Sequence, residues 1–127
     1  MHEIYLAVDG DDVGHHLEYL MLINDREAIT RFSKTFQNAM ISLESKLVND
    51  FGATIIFNGG DNLLACISVD VLQVETIETL RIEFAEQAPN TLSVGLGKNP
   101  RQAYFALKLA KTSGKNCIRQ FEELVDG

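Results

Sequence analysis

The residues able to do chemistry fall in two short stretches. The first, YLAVDGDDVG at positions 5–14, places Asp9, Asp11 and Asp12 directly after an apolar run. The second, FNGGDNLLA at 57–65, places Asp61 after the pair Gly59-Gly60. Burying carboxylates costs several kcal/mol apiece unless each finds a partner, and an ordinary turn needs only one of them. Two carboxylates and a backbone carbonyl make an oxygen-rich, incomplete shell. Mg²⁺ suits such a shell because it keeps waters and takes its remaining ligands from phosphates. Two such ions would activate a ribose hydroxyl and stabilise a departing pyrophosphate. Glycines before Asp61 would let phosphates approach backbone N–H groups. Hairpin turns also favour glycine on their own account, so the pair gains meaning from Asp61 beside it.

Three lysines complete the set. Lys108 and Lys111 are one turn apart on an expected helix, and Lys115 follows Gly114. They read either as a clamp on a triphosphate or as cations complementing a helix C-terminus. His15 and His16 lack metal-ligand spacing to another His or Cys and read as surface residues. A calcium loop of the EF-hand type would need an oxygen ligand at its fifth position and Glu at its twelfth, where this chain has Val13 and Leu20. A haloacid-dehalogenase-type nucleophile motif would need a parallel sheet, against the hairpin expected around Gly59-Gly60.

The elements that must position these groups follow from periodicity. Ile4, Leu6 and Val8 share one face of a first strand, and Tyr5, Ala7 and Asp9 share the other. A short helix is expected over Leu17–Ile23. Asn24 with Glu27 reads as a capping box that opens a long amphipathic helix through Ile29, Phe32, Phe36, Ala39, Leu43 and Leu47, ended by Gly52. Residues 54–57 and 63–69 are strands of a hairpin turned at 58–62. Leu72, Ile77, Leu80 and Phe84 mark another helix, stopped before Pro89. In the strand at 91–97, Leu92, Val94 and Leu96 face a core, whereas Thr91, Ser93, Gly95 and Gly97 form a face stripped of bulk. Asn99-Pro100 opens a further helix as N-cap and N1, Gly114 is its expected C′ residue, and Asn116–Ile118 is a short last strand. The order β-α-α-β-β-α-β-α-β gives an α+β fold: a ferredoxin-like (split βαβ) palm, an antiparallel sheet with helices on one face and the other partly open. The strands carrying Asp9 and Asp61 are then adjacent and central, so the two acids can converge.

The 127 residues fit one domain, here 1–127, and the 46% hydrophobic content is that of a globular protein with a sizeable core. No apolar run is long enough to cross a bilayer, so no membrane insertion is expected. A net charge of −7 argues against a grip on duplex nucleic acid, though not against nucleotides, whose phosphates a divalent cation can carry. Cys66 and Cys117 sit in apolar contexts, form no CxxC and read as buried free thiols. No leader segment is visible, and a reducing cytoplasm is the expected setting.

Together DGDDVG, NGGDN, SVGLG and AKTSGKN resemble a GGDEF-type palm over nearly the whole chain. At this length the resemblance is to the minimal CRISPR polymerase group, related to the palm of the large type III CRISPR subunit and to diguanylate cyclases. The resemblance implies that Asp9 and Asp61 are catalytic and bind Mg²⁺ or Mn²⁺ together with the Gly10 carbonyl. It implies that Gly59 and Gly60 line the phosphates, and that Lys111, with Lys108 and Lys115 as weaker candidates, meets the triphosphate. Asp12 lies where related palms face the ribose or base, and Asp11 beside it is a further nucleotide-binding candidate. The implied activity is synthesis of a cyclic nucleotide from NTPs, with ATP and cyclic di-AMP as the expected pair. The implied setting is antiphage defence, with a homodimer or higher homo-oligomer and a separate effector protein that reads the product. Asn62 stands where the family motif has a second acid. A non-catalytic nucleotide sensor and a palm-type GTP cyclohydrolase are the other readings.

Overall fold

The structure, a computed structural model, describes residues 2–71 and 73–126. Ten elements follow in order: β1 (Glu3–Gly10), α1 (Val13–Leu22), α2 (Arg26–Phe51), β2 (Thr54–Asn58), β3 (Asn62–Ser68), α3 (Val74–Gln87), β4 (Leu92–Gly97), α4 (Pro100–Thr112), β5 (Ile118–Gln120) and α5 (Phe121–Asp126). The five strands lie in the order β2-β3-β1-β4-β5. β1 runs antiparallel to both β3 and β4, placing it at the centre of the split βαβ arrangement. The α+β ferredoxin-like palm expected from the pattern is therefore present. The short β5 pairs parallel to β4, so one edge of the sheet departs from antiparallel order.

Strand alternation divides the sheet into two packed faces. Leu6, Val8, Leu63, Ile67, Leu92, Val94 and Leu96 are buried and join one apolar cluster with Phe36, Leu43 and Leu47 of α2 and Ile77, Leu80 and Phe84 of α3. Each such side chain contributes about 1.5–3 kcal/mol relative to exposure, so this layer fixes the strand register. A one-residue slip would turn the whole row to water.

The opposite face differs from the expectation of helices on one side only. Ala103, Ala106 and Ala110 of α4 are fully buried against it. A methyl group added at Gly95 would lie 2.2 Å from Leu107 N and 2.3 Å from Ala103 O. The missing side chain is thus the seat of a helix backbone. The face stripped of bulk is covered over β1 and β4 because it is stripped, and it stays open only toward β2 and β3.

The helix ends follow local chemistry. Asn99 Oδ1 accepts from Gln102 N–H at 2.9 Å, with Pro100 next, as expected. Gly52 closes α2 in the left-handed region. The start of α2 is shifted by one residue from the capping box read at Asn24. Asp25 is the cap, accepting from Ala28 N–H at 3.0 Å. Asn24 instead takes a left-handed φ of 58° in the tight turn from α1, a conformation asparagine tolerates. Leu72 lies outside the described residues, and α3 starts at Val74. β5 falls at 118–120 rather than 116–118, because residues 114–116 are taken up by a left-handed loop. Cys66 is a buried free thiol, as expected, whereas the free thiol of Cys117 is only half-buried, because it lies beside the short edge strand β5. Among the described residues, no helix is long and apolar enough to cross a membrane.

Candidate functional site

Asp9 is the last side chain of β1 on the α4 face, directly opposite Asn62 of β3 and Ser93 of β4. The Gly10 N–H donates to the Asp61 carbonyl at 2.9 Å, which ties the hairpin turn to the end of β1. Asp61 is thereby held close enough to Asp9 for their charges to repel. Burial is the main influence raising the Asp9 carboxyl above its ordinary value. Lys111 pulls it back, and Asp61 and Asp11 push it up again.

The turn uses its own amides. Gly59 N–H donates to Asn62 O, and Gly60 N–H donates to the Asn58 side chain, each at 2.9 Å. These donors were expected to face phosphates and are instead committed within the turn. Of the two, Gly60 offers room, with a φ of +96° and open space where a Cβ would stand, whereas a Cβ at Gly59 would lie 2.3 Å from Asn62 Oδ1.

Lys111 is the centre of the site. Its Nζ donates to Gly10 O at 3.0 Å and lies 3.2 Å from Asp9 Oδ2 and 2.8 Å from Asp11 Oδ1. α4 reaches this point only because Gly95 lets its backbone lie on the sheet. An ammonium at that position shows that the Asp9 carboxylate and the Gly10 carbonyl aim at one point and accept positive charge there.

Asp11, expected to meet nucleotide, is corrected by its environment. It is 3% exposed. Oδ1 accepts from Ser93 Oγ at 2.6 Å and from Lys111 at 2.8 Å. Oδ2 accepts from Thr91 Oγ1 at 2.6 Å and from Asn116 N–H at 2.9 Å. With four donors on two oxygens, the group has no capacity left for a ligand. Burial pushes its carboxyl up, but the bonds from Lys111, Ser93 and Thr91 outweigh burial and hold it below the ordinary value. Asn116 and Lys115 carry φ of 49° and 63°. Such conformations cost of order 1 kcal/mol each, and here they deliver the Asn116 N–H to Asp11. Arg81 of α3 donates to the Asn116 side-chain oxygen and pins the same loop from the other layer.

The three lysines do not form one clamp. Lys115 pairs with Asp12 at the surface, which raises the lysine's pKa chiefly through that hydrogen bond. Asp12 caps α1 with left-handed backbone and no side-chain cap bond. Lys108 lies over the Tyr104 ring, 5.2 Å from its centroid. His15 is exposed, whereas His16 packs against Phe32 with centroids 4.3 Å apart. Thr91, Ser93, Arg81 and Asn116 were not picked out as site residues. The available signal was Ser93, a hydroxyl at the centre of a strand whose burial demands a partner.

A divalent metal would take the Asp9 and Asp61 carboxylates and the Gly10 carbonyl. That set fits Mg²⁺, which tolerates few protein ligands. Among the described residues no group of three or more acids, histidines or cysteines is arranged to hold a metal.

The model of the minimal CRISPR polymerase domain, mCpol, matches residues 5–121. The chain belongs to the mCpol family. No curated protein matches the sequence. Solved structures show the same fold. The GGDEF domain of DgcB from Caulobacter crescentus, in complex with c-di-GMP, is 18% identical over 94% of this chain and 78% of that one, with a TM-score of 0.66. The active GGEEF domain of a diguanylate cyclase from Vibrio cholerae is 16% identical over 94% and 82%, with a TM-score of 0.65. The Csm1–Csm4 cassette in complex with cA4 is 18% identical over 91% of this mCpol chain and 20% of that one, with a TM-score of 0.71. The mCpol chain thus has the fold found in GGDEF and GGEEF domains and within the Csm1–Csm4 cassette.

Proposed function

We propose that this mCpol protein is a nucleotidyl cyclase that joins nucleoside triphosphates into a cyclic nucleotide and releases pyrophosphate. ATP is the proposed substrate, cyclic di-AMP the proposed product, and antiphage signalling through a separate effector the proposed setting. The observation that carries the reading is the meeting of Asp9, Gly10 O and Lys111 beside Asp61, at the end of the central strand of a cyclase-type palm.

In the reaction a ribose hydroxyl oxygen attacks an α-phosphorus. The bond from that phosphorus to the bridging oxygen breaks, pyrophosphate departs with the bond's electron pair, and the hydroxyl proton passes to solvent. Positioning and charge neutralisation supply most of the acceleration in such transfers. A bound Mg²⁺ or Mn²⁺ would neutralise phosphate charge and acidify the attacking hydroxyl. Lys111 adds a cation whose place is fixed by Asp11. Gly60 leaves the approach over the hairpin clear. Closing a two-nucleotide ring joins two such centres, so the working form in this proposal is a homodimer or higher homo-oligomer.

The test is mass spectrometry of products from each NTP, alone and in pairs, with pyrophosphate assayed in parallel and Asp9→Ala as control. Absence of pyrophosphate from all four NTPs with either metal would remove the cyclase reading. A second reading, a nucleotide sensor without turnover, is favoured by two observations. Asn62 replaces the second acid of the motif, and Asp11 is consumed inside the fold. Nucleotide binding with no product would select it.

A further inference from the structure

α4 covers the sheet over β1 and β4 and leaves a cleft of about 440 Å³ over β3 and β2. Its walls are Phe57, Leu64, Tyr104 and Leu107, with Asp9, Asn62, Lys108 and Lys111 as its polar members. Ala7, Leu64 and Phe57 form one cross-strand row along its floor, since Ala7 is opposite Leu64 and Leu64 is opposite Phe57. The pairing of Phe57 depends on a β-bulge: the register shifts between Ile55 and Phe57, which turns the Phe57 ring onto this face. Ala7 is the smallest side chain of the row and gives the cleft its depth.

Phe57 and Tyr104 are 48% and 51% exposed. Both rings line the same cleft, so a flat apolar ligand seated there would cover two aromatic faces at once. The cleft shares Asp9 and Lys111 with the candidate metal and phosphate site. Asp9 stands two residues along β1 from Ala7, roughly 7 Å away, within the span of one nucleotide. We propose that this cleft receives the purine base of a nucleotide whose phosphates lie at Asp9 and Lys111. Phe57 and Tyr104 supply the stacking faces, Asn62 an amide with both donor and acceptor, and Lys108 a donor for the acceptor-rich edge of a purine. The inference rests on the proposed reading of the site as a nucleotide site, but not on catalysis.

The test is equilibrium binding of α,β-methylene-ATP with Mg²⁺, an analogue that cannot be turned over, beside inorganic tripolyphosphate, which has no base. Wild type, Phe57→Ala, Tyr104→Ala and Tyr104→Phe are compared. Each alanine variant is expected to bind the analogue about tenfold more weakly, in line with the loss of a base–aromatic stack. Tyr104→Phe keeps the ring and is expected to stay within about twofold of wild type, as for a neutral surface change. Tripolyphosphate affinity is expected to be the same in all four proteins. Unchanged analogue binding in both alanine variants would overturn the assignment, as would a parallel loss of tripolyphosphate binding. Wild type that binds the analogue with these sensitivities but forms no product leaves the cleft standing and removes only the cyclase reading. Wild type that binds no analogue removes both.

Discussion

Asp9 and Asp11 are two residues apart on one turn, yet their carboxylates meet opposite conditions. Asp9 is partly open, faces the hairpin, and is held above its ordinary pKa by burial and by the neighbouring acids, against the pull of Lys111. Asp11 is buried, saturated by four donors, and held below its ordinary pKa by those bonds despite burial. One group retains unmet affinity for positive charge and is available for chemistry. The other has spent its affinity on the fold. Sequence spacing makes the two look alike, and the difference comes from what the rest of the chain brings to each.

The comparison can be broken most severely at the buried member. Asp11→Ala is expected to lower folding stability by about 3–5 kcal/mol, the usual cost of stranding the partner of a buried pair, read as a fall in the denaturant midpoint. Next comes Asp9→Ala, expected to reduce product formation by at least about 100-fold, as for loss of a group acting directly on transition-state charge. Its unfolding midpoint should not fall; a marked loss of stability there would mean that Asp9 is structural after all.

pH sharpens the same contrast. The lowered pKa of Asp11 gives a stabilisation that is fully present above the ordinary carboxylate value of 3.8 and is lost as pH falls through the lower folded value. The stability gap between wild type and Asp11→Asn should therefore hold from neutrality to about pH 5 and close in stronger acid. Asp9 acts with the opposite sign. Its raised pKa makes the ionised carboxylate a cost to the metal-free fold, relieved as pH falls through the raised value. Metal-free Asp9→Asn should lack that relief in a pH series of chemical denaturation. The smallest effect is expected for Lys115→Ala. Its pair with Asp12 is surface-exposed and screened by water, so the unfolding midpoint should stay close to that of wild type. A larger loss would place the pair in the structural core of the site.

Asp9, Asp61 and the hairpin were legible because their signals are local: a strand that ends in an acid, glycines between two β-rich runs, and a topology that makes those strands neighbours. Asn99, Pro100, Gly52 and Gly114 were legible for the same reason, since caps and turn residues act within a few positions. Asp11 was not, because its donors come from Thr91, Ser93, Lys111 and Asn116, and nothing in DGDDVG marks which acid they choose. The three lysines looked like one group from their spacing, but a helix end and a left-handed loop send them to three different partners. The stripped face of β4 was legible in part. Small side chains indicated that something approaches, and the thing that approaches over β1 and β4 is α4 itself.

The bonds on Asp11 join residues 80, 82, 100 and 105 positions away in sequence. Contacts of that range form late, because the intervening loop must first be closed. The lysine at the centre of the site therefore acquires its position only when the two ends of the palm have met. Partly folded chains, and chains still being synthesised before residue 116, carry the acids without the geometry that organises them. Activity should consequently return in refolding no faster than the slowest tertiary phase, well after helix content has recovered.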